Sequence, residues 1–326
     1  MHEVDMTQMD WRDRCVTIVP CPALGDVTIY LHLAWLFNLA GARVRFVSNT
    51  LFPAREYFDW LQVDPSDCVD LIALSESSDL VVSYINWLTQ DASRVTALLE
   101  RSNIAFVTAK KISSRLEVDG RAVRVGEHTL PGASRALCLQ SRSGLNMVQW
   151  VEEYASSVYG LHARQPMALR RFVNCPESRR RVAIFPTTPH LKKNYAPMGF
   201  SWLARRLLAK GWLVEFVGMP HEQEPLKQMY ADFPVHTFAD IRGLMDYLST
   251  CSVVVSNDSG GGHLGSLMGL RSFTVTRKQA DFVWRPGFNE NNQVLAPLLS
   301  FKMLGRYVWR PFVPLWRITS RLGGAR

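Results

Sequence analysis

The stretch Val253–Gly269, VVVSNDSGGGHLGSLMG, combines a strand, a glycine-rich turn and the start of a helix. Its first residues are β-branched, which favours a buried strand, and the residues after the glycines have the apolar spacing of a helix. The free N–H groups and the positive dipole end of such a helix point to one place, which favours phosphate binding. Asp258, Ser259 and His263 lie on or beside the turn and add polar groups. We therefore predict a phosphate-bearing ligand here.

This turn differs from better-known glycine motifs. The residues Asn257–Gly261, NDSGG, resemble the nucleophile region of trypsin-like proteases, whose serine lies in an all-β, disulfide-bonded protein. Ser259 instead stands between a strand and a helix, and the cysteine pattern is not that of a secreted protease, so the sequence does not favour a nucleophilic role. The P-loop pattern GxxxxGK[ST] is absent, and no GxGxxG follows a strand.

Composition sets the broad class of the chain. Its 326 residues, 47% of them hydrophobic, favour two domains of roughly 150 residues each. The net charge of +8 favours anionic partners. The six cysteines form no CxxC and no metal-ligand spacing, and most lie in apolar runs, which is typical of a reducing cytosol. The first fourteen residues lack the apolar run of a signal peptide, and no segment has the ~20 apolar residues of a membrane span.

Strand and helix patterns alternate along both halves of the chain. This alternation predicts two parallel-sheet α/β domains, 1–165 and 166–326, facing each other across a cleft. The segment Leu161–Arg181, with two prolines and several arginines, is the predicted linker. We also predict a strand at Cys68–Leu74 and, from the alternation around Asp119–Gly120, a hairpin insertion between Leu116 and Leu130.

Polar residues follow several predicted strands, where ligand sites of α/β proteins form. Asp26 follows the first strand in Leu24–Asp26 and is either a helix N-cap or a general base. Glu222, in GMPHE, either favours the start of a helix or binds a ribose diol. The loop Pro186–Tyr195, PTTPHLKKNY, offers hydroxyls and charge that are either solvated or bind a ligand; its candidate residues are Thr187, Thr188, Lys192 and Lys193.

In this order, these motifs resemble glycosyltransferase family 9, the ADP-heptose:lipopolysaccharide heptosyltransferases. The resemblance extends from about Val16 to Gly287. It rests on LGD at Leu24–Asp26, K-x-aromatic at Lys193–Tyr195, GMPHE at Gly218–Glu222, and DSGGGHLGSLMG at Asp258–Gly269, which is the most specific motif.

The resemblance implies a GT-B fold of two Rossmann-like domains, with an N-terminal acceptor domain and a C-terminal nucleotide-sugar domain. It implies an inverting, metal-independent glycosyltransferase without a cofactor, whose donor is ADP-heptose and whose acceptor is a lipopolysaccharide core or a related surface glycan. Asp26 would be the catalytic base, and Glu222 would bind the ribose. The diphosphate would contact Lys193, with Lys192 as the alternative, the hydroxyls of Thr187 and Thr188, and the turn formed by Asp258, Ser259 and Gly260. His263 either binds a phosphate or sugar oxygen or supports the helix.

The chain departs from the family pattern near the predicted sugar and acceptor sites. His32, Arg271 and Tyr195 replace two prolines and a tryptophan, and Arg277–Lys278 stand where the family has FG. Two alternatives therefore stay open: a related transferase that uses another nucleotide sugar or a protein acceptor, and a catalytically silent nucleotide-sugar-binding subunit. The intact Asp26 argues against the second.

The C-terminal segment Phe301–Arg317 interleaves aromatic and basic residues and contains no acid. It either packs on the protein body or touches anionic headgroups. The expected partners are a nucleotide sugar and a lipid-linked or glycan acceptor, and not a nucleic acid. The expected location is the cytoplasm, with peripheral association at the cytoplasmic face of the inner membrane.

Overall fold

A computed structural model of the chain describes residues 9–67, 69–170 and 180–323. The chain forms two compact units. The first comprises Met1–Gln140 and Met147–Ala168, and the second comprises Ser141–Asn146 and Leu169–Arg326.

The first unit is an α/β unit with a six-stranded parallel sheet and a small antiparallel hairpin. Its strands are β1 (Cys15–Val19), β2 (Arg43–Val47), β3 (Gln62–Asp64), β4 (Leu80–Tyr84), β5 (Ile104–Thr108), β6 (Val123–Val125), β7 (His128–Leu130) and β8 (Arg135–Ala136). Its helices are α1 (Leu24–Leu39), α2 (Leu71–Glu76), α3 (Val95–Glu100) and α4 (Met147–Tyr159). The sheet order is β3-β2-β1-β4-β5-β8, and β6 pairs with β7.

The core of this unit is built around α1. Residues 27–37 of this helix are all buried, so its apolar character on every side fits a helix that has no solvent-facing surface. Aromatic rings extend the core: Trp11 and Tyr159 both contact Phe37, with centroids 4.8 and 5.0 Å from its ring.

The second unit repeats this plan. Its strands are β9 (Arg181–Phe185), β10 (Leu213–Gly218), β11 (Val235–Thr237), β12 (Val253–Asn257), β13 (Arg271–Val275), β14 (Asn292–Leu295), β15 (Phe301–Met303) and β16 (Arg306–Val308). Its helices are α5 (Pro197–Leu208), α6 (Gln223–Met229), α7 (Ile241–Leu248), α8 (Gly260–Leu267) and α9 (Trp316–Arg321). The parallel sheet has the order β11-β10-β9-β12-β13-β14, and β15 and β16 form an antiparallel hairpin.

Both sheets reverse their strand order at the first strand of the unit. β1 lies between β2 and β4, and β9 lies between β10 and β12. Loops that leave the carboxyl ends of such neighbouring strands diverge and leave a crevice, where ligands of open α/β sheets bind. The predicted pair of parallel-sheet α/β units is confirmed.

One local prediction was wrong, and the turn of another was misplaced. The described part of Cys68–Leu74, residues 69–74, forms no strand: α2 begins at Leu71, because the carboxylate of Asp70 accepts hydrogen bonds from the backbone N–H groups of Ile72 and Ala73 and caps a helix. The hairpin predicted between Leu116 and Leu130 is present as β6–β7, but its turn lies at Gly126, whose φ is +57°. Asp119–Gly120 form a separate turn, in which the Arg121 backbone N–H donates to the Val118 carbonyl oxygen at 3.1 Å.

Some sequence predictions fall partly outside the described residues. Cys68, Cys175 and residues 171–179 of the predicted linker lie outside them. The described cysteines Cys15, Cys21, Cys138 and Cys251 are free thiols. Across residues 9–67, 69–170 and 180–323, no helix is long and apolar enough to cross a membrane.

Candidate functional site

Three adjacent strands of the second unit bring most of the predicted site residues to one sheet edge. β10, β9 and β12 are neighbours and run parallel, so their carboxyl ends lie side by side. The loops that leave these ends carry, in turn, Glu222, the segment Pro186–Tyr195, and Asp258 with the start of α8. Motifs far apart in the sequence therefore share one edge.

The glycines of α8 allow this helix to pack closely against the sheet. A Cβ atom on Gly261 would lie 2.6 Å from the Phe185 ring, and one on Gly262 would lie 2.3 Å from Ser256 Oγ. Ser259 is the N-cap residue, yet its side chain caps no N–H group, and its buried Oγ has no hydrogen-bond partner among the described residues. The N–H groups of the first turn have no acceptor within the helix, so they are open to an anionic ligand.

Asp258 is held between two lysines at the start of this helix. Its Oδ2 atom lies 3.1 Å from Nζ of Lys193 and 2.9 Å from Nζ of Lys278. Burial alone would raise the pKa of Asp258, but the charges and hydrogen bonds of Lys278 and Lys193 outweigh it and lower that pKa below its ordinary value. The carboxylate thus stays ionised and fixes both ammonium groups.

Thr187 and Glu222, both predicted as site residues, are joined to each other. Oγ1 of Thr187 donates a 3.0 Å hydrogen bond to Oε2 of Glu222, and the backbone N–H of Met219 donates to the same oxygen at 2.9 Å. The other oxygen of Glu222, Oε1, has no hydrogen bond to the described residues and can accept one from a ligand.

Thr188 shapes its own loop. Its Oγ1 lies 2.7 Å from Oδ1 of Asn194 and 3.0 Å from the carbonyl oxygen of His190, and its backbone N–H donates to Oδ1 of Asn194 at 2.9 Å. Together with Thr187, it therefore already donates to protein acceptors. Lys192 is exposed, whereas Lys193 reaches Asp258.

Sequence reasoning missed Asn257, which connects this loop to β12. Asn257 is fully buried; its Nδ2 donates to the Pro186 carbonyl oxygen at 2.6 Å, and its Oδ1 accepts from the Tyr195 backbone N–H at 3.0 Å. Its position at the end of a strand, directly before Asp258, was the available signal. Tyr195 itself lies in the core, with its ring 5.4 Å from that of Phe200.

His263 is buried on α8, with 3% of its surface exposed. Burial lowers its pKa to about 4, against smaller raising effects of Asp258 and of a hydrogen bond with the Trp284 backbone, so the imidazole is neutral. Its ring lies edge-on to the Trp284 ring at 6.0 Å, and Nδ1 has no partner among the described residues. The start of α8 thus contains a second buried polar atom that no described residue contacts by a hydrogen bond.

Asp26 occupies the matching position in the first unit, in the first turn of α1 after β1. Burial raises its pKa to about 6, although its own backbone N–H opposes this effect. Ala23 is the N-cap residue of α1, so Asp26 is not the N-cap that one interpretation of the sequence predicted. A carboxylate with a pKa near neutrality suits general-base chemistry.

Sequence comparison identifies the family of the chain. The sequence profile of "Glycosyltransferase family 9 (heptosyltransferase)" matches residues 131–299. The chain belongs to glycosyltransferase family 9. A comparison with curated proteins found no match.

Solved structures share the fold along nearly the whole chain. The E. coli heptosyltransferase WaaC, solved with ADP, is 17% identical with a TM-score of 0.62, and the match covers 94% of this chain and 98% of that chain. A family 9 glycosyltransferase from Veillonella parvula is 14% identical with a TM-score of 0.68, covering 97% and 99%. The E. coli ADP-heptose lps heptosyltransferase II is 14% identical with a TM-score of 0.64, covering 95% and 97%.

These findings confirm three predictions: the family, the GT-B fold class and the assignment as a glycosyltransferase. At these identities the structural likeness carries the fold alone. Within the described residues, no group of three or more His, Cys, Asp or Glu side chains could hold a metal ion.

Proposed function

We propose that this family 9 glycosyltransferase transfers a heptose from ADP-heptose, with inversion and without a metal ion, onto a lipopolysaccharide core or a related surface glycan. The observation that carries the proposal is the start of α8, where open backbone N–H groups lie beside the Asp258 carboxylate and its two lysines. This arrangement suits a nucleoside diphosphate, which gains negative charge as it leaves.

The second unit takes the donor in this proposal. The diphosphate contacts the first turn of α8 and Lys193, while Oε1 of Glu222 accepts from the ribose. Because the hydroxyls of Thr187 and Thr188 already donate to protein oxygens, we give both threonines the role of shaping the loops. ADP-heptose is the favoured donor because WaaC, a protein with this fold, has been solved with ADP and with ADP-2-deoxy-2-fluoro heptose.

The first unit takes the acceptor and supplies the base. Asp26 removes the proton of an acceptor hydroxyl while that oxygen attacks the anomeric carbon of the donor. The bond from this carbon to the diphosphate oxygen breaks, and its electron pair leaves with the diphosphate, so the configuration inverts. The pKa of Asp26, about 6, supports this role, because the group is ionised at neutral pH and still accepts a proton.

A cavity of about 300 Å³ in the first unit is our candidate for a sugar of the acceptor. It lies beyond the carboxyl ends of β3 and β4 and is lined by polar groups and an indole, among them Ser66, Asp67, Trp87, Gln90 and Asp91. The indole N–H of Trp87 donates at 3.1 Å to the Pro20 carbonyl oxygen, just after β1. The cavity is therefore close to the chain segment that leads to Asp26.

We test this function by acceptor-dependent release of nucleoside diphosphate. ADP-, GDP- and UDP-sugars are first screened by thermal shift, since a ligand of the native state raises apparent stability. The donor that binds is then incubated with and without a heptose-deficient lipopolysaccharide core. We expect ADP-heptose to bind and ADP release to require the acceptor. Binding of another sugar nucleotide would favour the related-transferase alternative, and binding without release on any glycan or protein acceptor would favour a silent subunit.

The protein, in this proposal, works in the cytoplasm at the inner membrane face, and the β15–β16 hairpin touches the lipid. Apolar side chains are exposed on and near the hairpin, and Leu304 at its tip is 95% exposed with φ of +48°. A leucine is costly in this left-handed conformation, which favours Asn or Gly. No acidic residue follows Glu290 in the sequence, whereas six basic residues do, which suits anionic headgroups.

Vesicle sedimentation tests this contact. We expect the protein to bind phosphatidylglycerol-containing vesicles and to bind pure phosphatidylcholine vesicles only weakly. Leu304→Asn should lower the affinity for the phosphatidylglycerol-containing vesicles about tenfold, because burying a leucine contributes about 1.5–3 kcal/mol. Asn tolerates the left-handed turn, so the fold is kept. Unchanged vesicle binding in this variant, or self-association in place of vesicle binding, would overturn the membrane contact.

A further inference from the structure

Lys278 is the group in the second unit that the predicted site did not include. It follows β13, the strand beside β12, so it lies at the same sheet edge as the start of α8. Its Nζ donates a 2.9 Å hydrogen bond to Oδ2 of Asp258, the oxygen that also pairs with Lys193. Two ammonium groups therefore meet at one carboxylate oxygen.

The exposure of these three side chains separates their roles. The Asp258 side chain is 7% exposed, whereas those of Lys193 and Lys278 are 30% and 37% exposed. Each ammonium has three N–H donors, and the bond to Asp258 uses one of them. No described residue accepts a hydrogen bond from the remaining donors, so a ligand can do so. Two positive charges against one carboxylate leave an excess of +1 beside the open N–H groups of α8.

Contacts hold both the backbone and the side chain of Lys278 in place. Its backbone N–H donates to Oγ1 of Thr276 at 3.2 Å, and its Nζ lies 4.7 Å from the centre of the Phe282 ring. Farther along the same segment, Nδ2 of Asn289 donates at 2.7 Å to the Ser266 carbonyl oxygen on α8. A held cation binds an anion without losing much side-chain entropy, which favours a binding role over a merely solvated one.

We propose that Lys278 is a second cation for the diphosphate of the donor, and that Asp258 is a positioning residue that holds Lys193 and Lys278 ready for it. This inference rests on the proposed function, because it gives that diphosphate an additional ligand. The two ammonium groups offer each phosphate group of the donor a cation to contact. The arrangement also gives a role to Lys278, the second residue of the Arg277–Lys278 pair that stands where the family pattern has FG.

The test compares ligands that differ by one phosphate. Isothermal titration with ADP, AMP and inorganic pyrophosphate is carried out on the wild type, on Lys278→Met, and on Arg277→Met as the control, since Arg277 is exposed in the same loop. We expect Lys278→Met to weaken the binding of ADP and of pyrophosphate about tenfold, and the binding of AMP less than threefold. We expect Arg277→Met to bind all three like the wild type. Lys278→Arg should recover most of the ADP affinity.

The outcomes separate this inference from the proposed function. Wild-type affinity for ADP in Lys278→Met would overturn the inference, and so would equal losses for ADP and AMP, which a purely structural ion pair predicts. If the wild type binds pyrophosphate through Lys278 but binds no nucleoside diphosphate, the proposed function fails and the second cation remains. If the wild type binds neither ligand, both are overturned.

Discussion

Oγ1 of Thr187 donates a 3.0 Å hydrogen bond to Oε2 of Glu222, which joins the loops that follow β9 and β10. The same carboxylate oxygen also accepts from the Met219 backbone, so one oxygen of Glu222 holds the loops and the other faces no described partner. This division gives Glu222 a structural oxygen and a ligand-binding oxygen.

Replacing Glu222 with Gln should weaken ADP binding about tenfold while leaving pyrophosphate binding unchanged. The amide oxygen can still accept from Thr187 and Met219, but an NH₂ group takes the place of the oxygen that accepts from the ribose. Hydrogen bonds to charged groups contribute about 1.5–3 kcal/mol, which matches such a loss. Titration calorimetry measures both ligands, with Glu224→Gln as the control because Glu224 is exposed. An equal loss of pyrophosphate affinity would assign Glu222 to the loops alone.

Asp26→Asn should abolish transfer and also stabilise the protein above pH 6. The folded chain keeps the Asp26 proton up to a pKa of about 6, whereas an unfolded aspartate has its ordinary pKa of 3.8. The folded state therefore binds more protons between these values, and the free energy of unfolding falls as pH rises through this window. Asparagine avoids this cost, so we expect a gain of about 1–2 kcal/mol at pH 8, reduced for partial exposure.

Urea unfolding at pH 8 checks this gain, with the exposed Asp119→Asn as the control. The wild-type kcat/KM should in addition rise with pH through an apparent pKa near 6, because only the ionised carboxylate accepts the proton. An unchanged or lower stability of Asp26→Asn would show that the carboxylate is not held at a raised pKa.

Lys193→Ala should weaken ADP binding much more than Lys192→Ala does. Lys193 lies 3.1 Å from Asp258 at the start of α8, whereas Lys192 is exposed. The two lysines are adjacent in sequence, so each variant controls for the other. We expect about a tenfold loss for Lys193→Ala and less than a twofold loss for Lys192→Ala by titration calorimetry. Equal losses of ADP affinity in the two variants would mean that both lysines attract ADP only through their general positive charge, and that Lys193 makes no specific contact with it.

His263→Gln should remove a pH dependence of stability between pH 4 and 6.5. The folded protein holds His263 neutral because burial lowers its pKa to about 4, while the unfolded histidine has its ordinary pKa of 6.5. The unfolded chain therefore binds more protons in this range, and the wild type loses stability as pH falls, by up to about 3 kcal/mol. The raised pKa of Asp26 changes stability with pH in the opposite direction. The quantity to compare is therefore the difference in the free energy of unfolding between His263→Gln and the wild type at each pH. Parallel pH curves of the two proteins would contradict a buried, neutral His263.

Much of the fold could be predicted from the pattern of hydrophobic residues, and the wrong strand prediction has a local structural cause. The alternating apolar runs correspond to β1, β2, β9, β10, β12 and β13, because strands buried in a parallel sheet are apolar throughout. The segment Cys68–Leu74 is equally apolar, yet the capping carboxylate of Asp70 starts a helix within it. An apolar run alone does not distinguish these outcomes.

Most residues of the candidate site could be predicted from the sequence, but the contacts between them could not. The sequence indicated which residues follow strands, and the strand order brings Glu222, Thr187 and Asp258 to one edge. It could not indicate that Thr188 bonds within its own loop, that Asn257 connects that loop to β12, or that Lys278 reaches Asp258 across 20 positions. These pairings depend on side-chain directions that only the folded backbone sets.

Acceptor-dependent ADP release from ADP-heptose, measured for the wild type and for Asp26→Asn, tests most directly whether Asp26 is the base of a heptose transfer. We expect the wild type to release ADP only when a heptose-deficient lipopolysaccharide core is present. We expect no release by Asp26→Asn, although this variant should bind ADP-heptose with near wild-type affinity. Release by Asp26→Asn at the wild-type rate, or wild-type release that does not depend on the acceptor, would contradict the proposed transfer mechanism.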